Sequence, residues 1–182
     1  MVYERARTRP FLILIPLLIG AAVSVALGIW GSVHTPTGEV PWANPFPSIY
    51  AFKVWLALGV LLLAAVQLVT ALWMYEKFGL RRRPWVGPVH RTSGFLAFIV
   101  SLPVAAACLW ALGFQTYSAR VLTHSILGCI FYGAFVAKIL VLHSKRLPGW
   151  ALPAVAGLLL ATVVGVITSS ALYYIATFGL PK

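Results

Sequence analysis

Five apolar runs, at residues 11–30, 51–75, 92–112, 121–142 and 150–174, dominate the chain, and only short polar segments separate them. Each holds about 20 residues or more, enough for an α-helix to cross a hydrocarbon core of about 30 Å. The expected fold is therefore all-α: an integral membrane bundle of five transmembrane helices, forming a single domain over residues 1–182. A mean hydropathy of +0.94 with 9% charged residues leaves no charged exterior for a water-soluble globule. The first run follows basic residues as a signal peptide would. It is long enough to span, however, and no small-x-small cleavage site follows it, so a retained helix is expected. Pro16 and Pro103 fall inside apolar runs and are expected to bend the first and third helices, because neither has an N–H to donate.

The basic residues mark orientation. The net charge of +11 is spread over short clusters between the runs and forms no stripe along a helix, which excludes nucleic acid as the partner it serves. With the N-terminus in the cytoplasm, the inner side holds Arg5, Arg7, Arg9, Lys77, Arg81, Arg82, Arg83, Arg91, Lys145 and Arg146, whereas the outer side holds Lys53, Arg120 and Lys182. Positively charged short loops stay inside, so the C-terminus is expected outside, and the expected location is the bacterial plasma membrane. Tryptophan agrees with this layout. Trp30, Trp42, Trp55, Trp73, Trp85, Trp110 and Trp150 all fall in loops or near run ends, at the depth of the headgroups.

Few side chains suit catalysis. The acids are Glu4, Glu39 and Glu76, none within a run, so paired-carboxylate chemistry has no place to work. No phosphate loop, zinc-protease helix or serine elbow occurs. Cys108 and Cys129 lie in apolar runs without metal-type spacing and are expected to be packing residues.

Histidine remains. His34 follows the first run and His124 opens the fourth, on the outer side; His90 opens the third and His143 ends the fourth, on the inner side. Along one helix His124 and His143 would stand about 28 Å apart, too far to share one iron. The expected pairs are His34 with His124 and His90 with His143, each holding a b-type haem between neutral imidazoles. Gly94 and Gly128 stand four residues after His90 and His124, on the same helical faces, where the missing side chain leaves room for a flat macrocycle. Lys53 and Arg120 outside and Arg91 inside are candidates for the haem propionates.

Residues 90–98, 101–104, 111–115, 124–129 and 147–150, with Val33-His34-Thr35-Pro36-Thr37-Gly38, resemble an uncharacterised family of small actinobacterial multi-helix membrane proteins. At the level of architecture, histidines at both ends of a short helix bundle resemble the haem-b membrane cytochromes, both ferric-reductase-like and two-haem quinol-linked. Those draw ligands from central helices, whereas the second and fifth runs here contain no histidine. The reading is a membrane-embedded electron carrier with one or two haems, quinone as a candidate second cofactor, and redox or respiratory-complex proteins as partners. The alternative is a cofactor-free structural or accessory subunit of a respiratory or photosynthetic membrane complex, for which Gly94, Gly128, Gly133, Gly157 and Gly165 would permit close helix contacts. A transport role would need Gln67, Thr70, Ser101 and Lys138.

Overall fold

Hydrocarbon offers a backbone no hydrogen-bond partner, so an apolar run closes its own helical ladder. The computed structural model describes residues 8–181, and the expectations placed on Glu4, Arg5, Arg7 and Lys182 fall outside the described residues. Its helices are α1 (Leu14–Val33), α2 (Ile49–Met74), α3 (Val86–Ala106), α4 (Ala119–His143), α5 (Ala151–Ile167) and α6 (Tyr173–Phe178). A 3-10 turn over Pro10–Ile13 leads into α1. Two π-helical segments, Ala107–Leu112 and Thr168–Leu172, prolong α3 and join α5 to α6. Five helices long and apolar enough to span a membrane result: Pro10–Val33, Ile49–Met74, Val86–Leu112, Ala119–His143 and Ala151–Phe178. The described residues contain no strand.

The ends differ from the apolar runs for local reasons. The third span starts at Val86, six residues ahead of its apolar run, with Pro88 in the first turn, where a missing N–H is harmless. His90 and Arg91 therefore stand within α3. Pro103 cannot donate to the Ile99 carbonyl, and four residues on the helix widens into the π segment at Ala107. Gly113 ends this span with φ +71°, a conformation other residues rarely adopt. Pro16 is only the third residue of α1.

Two compact units divide the chain. One comprises Met1–Val33 and Gln115–Val166. Here α1 packs against α4, and small residues set the distance: a Cβ on Gly20 would come within 2.5 Å of the Gly133 carbonyl oxygen, and one on Gly133 would collide with the Gly20 carbonyl and Ser24 Oγ. At one end of this contact Ile13, Ala137, Val141, Ala151 and Val155 form a buried cluster. Ser118 caps α4 by accepting from the Val121 amide.

The other unit comprises His34–Phe114 and Ile167–Lys182. In it α2 packs against α3, with Ala43, Phe52 and Ala107 buried together. Ser48 caps α2 through the Ala51 amide at 3.1 Å. Tyr50 stacks on Tyr174 with ring centroids 5.8 Å apart.

Large apolar side chains cover the helices outside these contacts: Leu62 is 69% exposed and Phe95 63%. Such a surface is at home in lipid, and the protein is a multi-pass membrane protein. Trp30, Trp42, Trp55, Trp85, Trp110 and Trp150 are exposed, as side chains at the headgroup boundary would be.

Gly133→Leu should overpack the α1–α4 contact and destabilise the protein by about 1–3 kcal/mol, seen as a lower thermal unfolding temperature in detergent. Gly157→Ala, with nothing within 4 Å of the new Cβ, should leave that temperature unchanged.

Candidate functional site

On α4, Arg120, His124 and Gly128 follow at intervals of four and share one helical face. His124 is half-buried. Its Nδ1 lies 3.3 Å from the Val166 carbonyl oxygen. A carbonyl only accepts, so Nδ1 carries a hydrogen. Imidazoles that ligate a metal through Nε2 are ordinarily oriented by just such a bond from the other nitrogen. Beside Gly128 a Cβ would meet nothing within 4 Å. Arg120, at the second residue of the helix, is half-buried on the same face. The unit thus presents a cation, an oriented imidazole and cleared space in one row.

His90 is held in a different way. Its Nδ1 lies 2.9 Å from Thr70 Oγ1, and Thr70 donates its one hydroxyl hydrogen to the Val66 carbonyl at 2.6 Å. With that hydrogen spent, the hydroxyl accepts from the ring, which again places a hydrogen on Nδ1. Gln67 Nε2 donates to the His90 carbonyl and, at 2.8 Å, to Ser93 Oγ. Ser93 Oγ donates to the Val89 carbonyl at 2.7 Å. Thr70 and Ser93 are buried, so α2 and α3 are joined by a polar network inside an apolar contact. The room beside Gly94 is taken by this network: a Cβ there would lie 2.9 Å from Gln67 Oε1. Apolar periodicity gives no warning of the cluster; its sequence signal is Gln67 and Thr70 within one span and Ser93 three residues after His90.

The remaining histidines are bonded otherwise. His34 points Nε2 at the Trp110 carbonyl, 3.1 Å away, with its ring 4.8 Å from that of Trp110. Here it is Nε2 that carries a hydrogen to the carbonyl, whereas in His90 and His124 it is Nδ1. Beside it the Thr37 and Gly38 amides donate to the carbonyls of Trp110 and Ala111 at 3.2 and 3.0 Å. The loop at residues 34–38 thereby caps the carbonyl end of the third span. His143, exposed, donates from Nδ1 to the Ile139 carbonyl of its own helix at 2.8 Å. Lys53 is half-buried in the second turn of α2, and Arg91 is exposed on α3.

Neither unit by itself brings two histidines together. His124 and His143 occupy the two ends of α4. His34 sits at Trp110, twenty residues beyond His90 on the third span, roughly 30 Å along it. Each expected pair takes one histidine from each unit. Among the described residues, no three His, Cys, Asp or Glu gather as a metal group.

Fold and polar inventory define a class: a small all-helical multi-pass membrane protein with oriented imidazoles near its span ends. Residues 13–182 match the Family of unknown function (DUF6529), and the chain belongs to that family. No curated protein and no solved structure matches it.

Thr70→Val should strand the His90 Nδ1–H without its acceptor and destabilise the protein by about 1–3 kcal/mol. Thr70→Ser, which keeps the hydroxyl, should unfold close to wild type; thermal unfolding of the two variants side by side is the check.

Proposed function

We propose that this protein is a membrane-embedded b-type haem electron carrier in which the His124 imidazole would hold the iron. The orientation of His124 carries the reading: Nδ1 faces the Val166 carbonyl, and open space lies at Gly128 one turn along the same face. A b-type haem held there would supply one-electron redox chemistry at a potential set by ligand, burial and hydrogen bonding. The Val166 carbonyl makes the imidazole a firmer donor by drawing on its Nδ1–H. Arg120, four residues before His124, offers a guanidinium to a propionate. His90 is the candidate for a second haem, its ring held by Thr70.

In this role the chain would lie in a bacterial plasma membrane with its N-terminus in the cytoplasm, as the distribution of Lys and Arg favours. It would exchange electrons with quinone or with protein partners of a redox or respiratory complex.

A second reading, a cofactor-free accessory subunit, draws on one observation. The Gln67 amide fills the space beside Gly94, so this glycine serves helix packing without any macrocycle.

Protein purified in detergent from haem-replete cells should show b-type absorbance bands that sharpen on dithionite reduction. His124→Ala should lower the haem content per polypeptide at least by half, and His90→Ala should remove the remainder if two haems bind. A colourless wild-type preparation would favour the accessory-subunit reading, and undiminished haem in both variants would overturn His124 and His90 as ligands.

A further inference from the structure

The unit built from Met1–Val33 and Gln115–Val166 is rich in cations and has no carboxylate among its described residues: Glu39 and Glu76 belong to the other unit, and Glu4 precedes the described residues. Three cations nevertheless converge at one end of it. The Arg9 amide donates to the Arg146 carbonyl at 2.9 Å, tying the approach to α1 to the loop after α4, where Lys145 is adjacent. Arg9, Lys145 and Arg146 are all exposed. Among the described residues of this unit no acid answers them.

Next to these cations a groove of about 350 Å³ runs between α1 and the end of α4. Ser144, Lys145 and Arg146 line its polar end, and Ile15, Ile19 and Leu140 its apolar wall. Ile15 and Ile19 are 57% and 43% exposed and stand one turn apart, so the apolar wall continues along the outer face of α1. Ser144 spends its hydroxyl hydrogen on the Leu140 carbonyl at 2.8 Å, which leaves Lys145 and Arg146 as the donors for an incoming anion.

The geometry points to a binding site for an anionic phospholipid, its phosphate between Lys145 and Arg146 and an acyl chain against Ile15, Ile19 and Leu140. A free anion would satisfy the charges and leave the apolar wall uncovered, whereas a zwitterionic lipid brings its own cation into a cluster already positive. Basic pockets between transmembrane helices select anionic headgroups by this combination of charge and apolar reach. The site is independent of His124 and of the haem reading.

The full-length protein, stripped of lipid in detergent, is titrated with phosphatidylglycerol or with phosphatidylcholine of the same acyl chains, and binding is read by native mass spectrometry and thermal unfolding. Phosphatidylglycerol should be retained more tightly and should raise the unfolding temperature above the phosphatidylcholine value. In Lys145→Gln/Arg146→Gln the phosphatidylglycerol affinity should fall about 30-fold, at about fivefold per basic residue lost, with phosphatidylcholine behaviour unchanged. Free glycerol phosphate should give no shift. Equal retention of the two lipids by the wild-type protein, an undiminished preference in the double variant, or a matching shift from glycerol phosphate would overturn the site. The wild-type comparison decides even if the double variant folds poorly.

Discussion

Within the spans every polar group needs a partner supplied by the chain itself, because hydrocarbon supplies none. The backbone meets this demand by forming helices, and side chains meet it by bonding to nearby carbonyls: Thr70 to Val66, Ser24 to Gly20 and Thr162 to Leu159, at 2.6, 3.1 and 2.8 Å. Among the described residues no buried side-chain nitrogen or oxygen is left without a hydrogen bond. The same demand fixes imidazoles. A histidine at a span end gives its N–H to whichever acceptor stands nearby, and this choice decides which nitrogen keeps a lone pair.

That choice separates the four histidines more sharply than their depth does. His124 and His90 give up Nδ1–H to acceptors beyond their own helices, Val166 on α5 and Thr70 on α2, the kind of bond that ordinarily orients metal-bound imidazoles. His143 makes a similar bond but within its own helix and on an exposed surface. His34 gives up Nε2–H to Trp110 and lies in a loop whose amides cap the third span. The proposed haem ligand and the helix cap thus use the same residue type through opposite nitrogens.

Much of the fold was legible because the membrane reduces the choices. A long apolar run can only be a helix, so five spans follow from five runs, with their ends moved by a few residues where His90 and Arg91 are helical despite their polarity. Packing was less legible. Gly133 could be marked as a contact residue from its size, but its partner, Gly20, becomes evident only when α1 lies on α4. Spacing put Gly94 and Gly128 on the faces of His90 and His124, yet spacing says nothing about what stands opposite. The Gln67 amide occupies one position and open space the other. The π segment after α3 had a visible cause in Pro103; the one at Thr168–Leu172 has no proline ahead of it in α5 nearer than Pro153.

Charge completes the account of how such a chain sits in its surroundings. With few acids available, the cations at Lys145 and Arg146 are the proposed seat of a lipid phosphate. The central claim, an iron held through Nε2 of His124, is tested most directly by chemical rescue. His124→Gly protein is predicted to purify depleted of haem and to regain the b-type spectrum when haem and free imidazole are added together, the imidazole occupying the vacated place. A His124→Gly protein that keeps its full haem complement without imidazole would contradict the account.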